Sequence, residues 1–157
     1  MRVNPEITRK EIIAGAIRTF ETLGYSDTDT RTIASNAGLE GATEKEQGVS
    51  ETTVYRLFGP KKDQKGPKHK VTKKNVAREI CKLTDTKLLQ AWSEITAESR
   101  DITLSVNRLF KQLCKNIETD PEIKVGLALR KSVNFQEGLA KLLQSVFIAE
   151  QEKGVMR

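Results

Sequence analysis

The residue types and spacings most suited to chemistry lie between Ser50 and Arg78. The run Val49-Ser50-Glu51-Thr52-Thr53-Val54-Tyr55-Arg56-Leu57-Phe58 sets hydroxyls, a carboxylate and a guanidinium on a segment the length of a helix of about two turns. From Arg56 to Arg78, nine basic residues (Arg56, Lys61, Lys62, Lys65, Lys68, Lys70, Lys73, Lys74, Arg78) face one acid, Asp63. The chain carries +6 overall, so the remainder is slightly acidic. Cations beside hydroxyl donors are the chemistry of phosphate binding, and a pI near 9.4 agrees with a polyanionic partner. Catalytic chemistry fits less well. The one histidine, His69, sits among lysines, which leaves neither a histidine-based triad nor a histidine-rich metal site. The segment from Gly59 to Gly66 has a glycine spacing too long for a phosphate loop, and neither Gly-Lys-Ser nor Gly-Lys-Thr follows. Cys81 and Cys114 fall in helical apolar patterns without CxxC spacing and read as reduced core residues. An enzyme is not expected, nor a cofactor or metal.

These groups need elements to hold them, and the pattern of the 157 residues is helical. The composition, 37% hydrophobic and 31% charged with four prolines, fits a helical protein better than a β-rich or disordered one. Thr8-x-x-Glu11 forms a capping box, with Ile7 stapling onto Ile12, for a helix carrying Ile12, Ile13, Ala16, Ile17 and Phe20 and stopping at Leu23-Gly24. Thr28 caps a second helix with Ile33, Ala34 and Ala37 inside and Gly38 as left-handed terminator. Ser50 caps a third, Val49 stapling to Val54, with Leu57 and Phe58 inward and Glu51, Thr52, Tyr55 and Arg56 outward, closing at Gly59-Pro60. A Lys-, Gly- and Pro-rich loop over 61–71 precedes a helix capped by Thr72, which either continues through Leu88, Trp92 and Ile95 or restarts near Thr84-Asp85. Ile102, Val106, Leu109, Phe110, Leu113 and Ile117 mark the next helix. Asp120-Pro121 starts a short one over Ile123 to Lys131, and the capping box Asn134-x-x-Glu137 starts a last one with Phe135, Leu139, Leu142, Leu143, Val146 and Phe147. The charged opening lacks a signal-peptide core and no apolar run approaches a membrane span, so a cytoplasmic, nucleoid-associated protein without membrane contact is expected.

The run Val49–Phe58 with Lys61 beyond it resembles the recognition helix of the tetracycline-repressor (TetR) family. Thr8-Arg9, Leu23-Gly24-Tyr25 and Thr28 to Gly38 are similar to that family's first two helices, so the likeness covers roughly residues 8–63. It implies an all-α protein: a three-helix, helix-turn-helix head over 1–71, with insertions at 39–48 and 64–71, followed by a helical regulatory and dimerisation bundle over 72–157. It also implies a repressor acting as a homodimer on double-stranded DNA with a palindromic operator, and release by a small-molecule effector. By the resemblance Thr28, Thr53, Tyr55 and Lys61 hold the DNA backbone. Base reading falls to Glu51, Thr52 and Arg56, the last equally suited to holding phosphate, with Arg31 from helix two; Ser50 and Lys62 complete the DNA-facing set.

Three departures from the family's pattern stand out. Ten residues, Leu39 to Gly48, replace a tight turn; they extend helix two, form a flap or meet DNA through Lys45, although Glu40, Glu44 and Glu46 oppose close phosphate contact. A second expansion around Gln64 to Val71 delays the fourth helix and reads as a basic arm. About four helical segments follow Val71, fewer than the family's five or six, the last two of which form its dimer interface. No effector-binding residues are assigned: Trp92, Phe110, Phe135 and Phe147 read first as core. Two other readings fit the same residues: a sequence-tolerant architectural or partition-type DNA-binding protein, and a helical interaction module whose head the 39–48 loop has disabled.

Overall fold

The computed structural model describes residues 4–39, 41–43 and 46–135, and within them the chain is all-helical, with six helices and no strand. Helix α1 spans Pro5–Asp27. It starts one turn earlier than the Thr8 capping box predicts: the Asn4 side chain accepts from the Glu6 amide at 3.0 Å, and Pro5 occupies the first helical position, where its missing N–H costs nothing. Ile7 therefore lies inside the first turn and is exposed rather than stapled to Ile12. Regular geometry breaks where expected, at Gly24, whose φ of 77° favours a residue without Cβ.

Helix α2 (Thr30–Asn36) is capped by Asp29, not Thr28. The Asp29 carboxylate accepts from both the amide and the hydroxyl of Thr32 at 2.7 Å, and those bonds hold its carboxyl below the ordinary range. Thr28 stands one position too early for that reach; its hydroxyl donates to the Gly24 carbonyl at 2.7 Å. Ala37 closes α2, and Gly38 follows it, as its sequence predicts, with a positive φ of 153° that favours glycine. Helix α3 (Glu51–Phe58) opens at Ser50 and closes at Gly59, as its sequence predicts.

Helix α4 (Lys68–Glu98) differs most from expectation. Thr72 lies inside it, fully buried, donating to the Lys68 carbonyl at 2.7 Å. The helix begins at Lys68, so part of the expected 64–71 insertion is helical and the 71/72 boundary falls within α4. It also runs unbroken through Thr84-Asp85. Asp85 starts no helix because its carboxylate forms a buried bidentate pair with Arg130. Asp101 caps α5 (Ile102–Thr119), and Asp120 caps α6 (Pro121–Val133), again with proline at the first position. Asn134, expected to cap a following helix, has a φ of 52° and closes α6. The apolar line expected from Leu139 to Phe147 lies outside the described residues.

A single apolar core joins α1, α2, α3, α4 and α6 through Ile12, Phe20, Ile33, Val54, Ile80 and Leu129, among others. Burying each such side chain contributes roughly 1.5–3 kcal/mol. A second cluster centres on Leu88 and Trp92 of α4, against Val106, Leu109 and Leu113 of α5. Gly126 lets α6 approach α4 closely, since a methyl there would overlap the Thr84 side chain. The described helices do not fully cover the stripe on α5: Phe110 is 61% exposed and Cys114 is exposed, against the expectation that both are core, and Ile117 of the same apolar pattern is exposed as well. Cys81 is fully buried, which pushes its thiol pKa up to about 11. Among the described residues no helix is long and apolar enough to cross a membrane.

Candidate nucleic-acid interface

Helix α3 is fixed at both ends. The Ser50 hydroxyl accepts from the Thr53 amide at 3.1 Å and lies 2.7 Å from the Thr53 hydroxyl, so both side chains are engaged in the cap. At the other end the Arg9 guanidinium donates to the Leu57 carbonyl at 2.9 Å and covers the Phe58 ring at 4.5 Å, while Asn75 donates to the Phe58 carbonyl at 2.9 Å. Val54 and Phe58 face the core, and Leu57, expected inward, is partly buried against it. Thr52 and Arg56, four residues apart and so on one face, are left exposed.

The ten-residue excursion at 39–48 leaves the approach of α2 to α3 intact because its two ends are tied together. The Gly48 amide donates to the Ala37 carbonyl at 2.7 Å and the Val49 amide to the Ala34 carbonyl at 2.9 Å. From α1, Arg18 donates to the carbonyls of Asn36 and Gly38 at 2.6 and 2.8 Å, and the Gly38 amide donates to the Glu11 carbonyl at 2.9 Å. These bonds satisfy the orphaned carbonyls at the end of α2 and fix where the chain leaves and returns. The excursion does not extend helix two, which ends at Asn36. Glu46 folds back to accept from the Thr43 amide; Glu40, Glu44 and Lys45 lie outside the described residues.

At the junction of α2 and α3 three side-chain oxygens form a triangle. The Thr30 hydroxyl donates to Glu51 Oε1 at 2.8 Å, the Tyr55 hydroxyl donates to the same oxygen at 3.0 Å, and the two hydroxyls lie 3.0 Å apart. Bonds from Thr30 and then Tyr55 hold the Glu51 carboxyl below its ordinary range, and the Arg31 charge adds to this. Glu51 is thus tied inward rather than presented freely outward. Thr30 was missed by sequence reasoning; the signal was there, because a cap at Asp29 instead of Thr28 puts Thr30 at the first helical position, facing α3.

The basic residues surround this junction unevenly. Lys68, the first residue of α4, places its ammonium 4.4 Å from the centroid of the Tyr55 ring. Lys61, matched by resemblance to the lysine opening the fourth helix, instead lies seven residues ahead of it in an exposed loop with Lys62, and Lys68 occupies that place. Lys73 donates to the Tyr25 carbonyl at 2.8 Å and covers its ring at 4.3 Å, and burial lowers its pKa. Arg31 is exposed on α2, while Thr28 is 3% exposed with its hydroxyl proton already used. Together Thr30, Glu51, Tyr55 and Lys68 form one connected group, with exposed Thr52, Arg56 and Arg31 on the same two short helices and Lys68 at the α4 start. Such an arrangement offers cations to an anion and a guanidinium to a base edge, while Glu51 holds the Thr30 and Tyr55 hydroxyl protons.

A polar cleft of about 470 Å³ lies behind α3, lined in part by Arg9, Lys61, Asn75 and Arg78. Among the described residues no group of three or more His, Cys, Asp or Glu is placed to hold a metal ion. Compared with known proteins, the chain matches no family model, no curated protein and no solved structure.

Proposed function

We propose that this chain is a sequence-specific DNA-binding transcriptional regulator of TetR type, in which α1–α3 form a helix-turn-helix head and α3 enters the major groove. The observation that carries the reading is the combination of a core-anchored α3, an exposed Thr52–Arg56 face and the ties that keep α2 and α3 together across the 39–48 excursion. Those ties count against a head disabled by its insertion. The Lys68 ammonium over Tyr55 and the other exposed lysines of the segment, Lys61, Lys62, Lys65, Lys70 and Lys74, supply sequence-independent attraction to phosphate.

In this reading Arg56 and Thr52 meet base edges, Arg31 assists from α2, and Tyr55, Lys68 and the Lys61-Lys62 loop hold phosphates. A helix of about two turns reads few base pairs. The protein therefore acts as a homodimer, its two heads about 34–36 Å apart on a palindromic operator. Release by a small molecule binding in the helical body follows from the resemblance and requires different affinities for two arrangements of the heads.

Selection of bound sequences from a random duplex library at about 150 mM salt tests the reading. An enriched palindrome supports it. Strong binding without an enriched site favours the sequence-tolerant architectural reading, and absence of binding favours the interaction module.

A further inference from the structure

The triangle at the α2–α3 junction contains three oxygens and only two hydroxyl protons. Thr30 and Tyr55 each have one proton, and both are directed at Glu51 Oε1. The 3.0 Å contact between the two hydroxyls is left without a proton of its own. A carboxylate accepting two hydroxyl protons is a charge-assisted arrangement, stronger than either hydroxyl bonding to water or to the other. The surroundings favour an anion on balance: the Lys68 ammonium lies over the Tyr55 ring and the Arg31 charge acts on the same carboxylate, against a smaller opposing effect of Asp29. Neither hydroxyl can donate to a DNA phosphate while Glu51 holds it.

We propose that Glu51 acts as a built-in phosphate mimic, occupying the Thr30–Tyr55 anion seat in the free protein and leaving it when the operator binds. This rests on the DNA-binding reading above. A phosphate oxygen then takes the two hydroxyl protons, and the displaced carboxylate, at the first position of α3, turns to the groove, where a cytosine amino group is its matching donor. On DNA that lacks such a donor the carboxylate has no partner outside the seat. It stays where it is, and the phosphate contact is not made. Glu51 thereby sets specificity by suppressing binding to other sequences rather than by adding affinity for the operator.

The test is a binding cycle on the full chain against the selected operator and against random duplex. Glu51→Gln tightens binding to random duplex by about ten- to a hundredfold, the range expected for gaining a hydrogen bond to a charged group. The operator-to-random ratio falls by a similar factor. Any lost negative charge strengthens DNA binding somewhat, so Asp29→Asn, which keeps its capping oxygen, serves as the charge control and gives a smaller gain. The deciding arm is Glu51→Gln in a Thr30→Val, Tyr55→Phe background, where no hydroxyl remains to be freed and the gain beyond the Asp29→Asn control disappears. A gain that persists in that background, or a Glu51→Gln variant that binds operator and random duplex with an unchanged ratio, overturns the proposal while the DNA-binding reading stands. Failure of the wild type and every variant to bind any duplex overturns both.

Discussion

Removing the Asp85 carboxylate is expected to destabilise the protein more than any surface change. Asp85 on α4 and Arg130 on α6 are 45 residues apart and form a two-pronged pair with side chains only 6% and 9% exposed; one of its bonds measures 3.1 Å. The guanidinium also lies 5.4 Å from the centroid of the Phe135 ring, and its Nε atom is buried with no hydrogen-bond partner among the described residues. Asp85→Ala leaves a buried cation without its counter-charge. Breaking a buried pair from one side costs about 3–5 kcal/mol, a large share of the roughly 5–15 kcal/mol that stabilises a domain. At this chain length that corresponds to a fall in Tm of roughly 6–20 °C. Urea denaturation followed by far-UV circular dichroism measures it. Removing both charges, as in Asp85→Leu with Arg130→Met, leaves no unpaired ion and restores stability to within about 2 kcal/mol of wild type. A loss below about 1 kcal/mol in Asp85→Ala, or a double variant no better than the single, would refute the reasoning.

Three further outcomes follow from the local geometry. Ser50→Ala removes the oxygen that accepts from the Thr53 amide and lowers unfolding stability by about 1 kcal/mol, whereas Ser50→Asp retains the cap and most of that stability; equal losses in both would contradict the capping role. With a thiol-reactive dye at mildly alkaline pH, the native chain labels at exposed Cys114 while buried Cys81, with its pKa near 11, reacts only after unfolding; labelling of both at one rate would show that Cys81 is not held in the core. The Glu51 carboxyl, lowered by the Thr30 and Tyr55 hydroxyls, titrates below its ordinary value of 4.5. Its stabilising contribution is complete above that value and is lost as pH falls through the lowered one, so a side-chain carboxyl NMR titration with its midpoint at or above 4.5 would contradict the triangle.

The all-helical class was readable from the sequence because the apolar periodicity of Ile12–Phe20, Val54–Phe58 and Ile102–Leu113 is strong and several start signals are unambiguous. Ser50 and Asp120-Pro121 carry their own capping chemistry. Starts were misplaced where two caps compete within a few residues. Asn4-Pro5 prevails over the Thr8 box, and Asp29 over Thr28, since the carboxylate accepts two bonds from Thr32 at once. The first turn of α4 was hidden because Lys68, His69 and Lys70 have no apolar periodicity, and Pro67 caps it without a side-chain bond. The Asp85–Arg130 pair was not legible because it joins residues 45 apart whose types are ordinary on a helix surface, and the Thr30–Glu51–Tyr55 triangle was missed with the α2 start, since only a cap at Asp29 turns Thr30 towards α3. The exposure of Phe110 and Cys114 was missed for the converse reason: periodicity identifies an apolar face but not how much of it neighbouring helices cover.

Repeating the duplex selection with Arg56→Ala and Lys68→Ala beside the wild type tests the central claim most directly. The account predicts that Arg56→Ala relaxes preference at one symmetry-related position of an otherwise recognisable palindrome, and that Lys68→Ala weakens binding to all sequences alike and reduces the salt slope by about one. An Arg56→Ala variant with the wild-type site preference at every position would contradict the assignment of α3 as the reading helix.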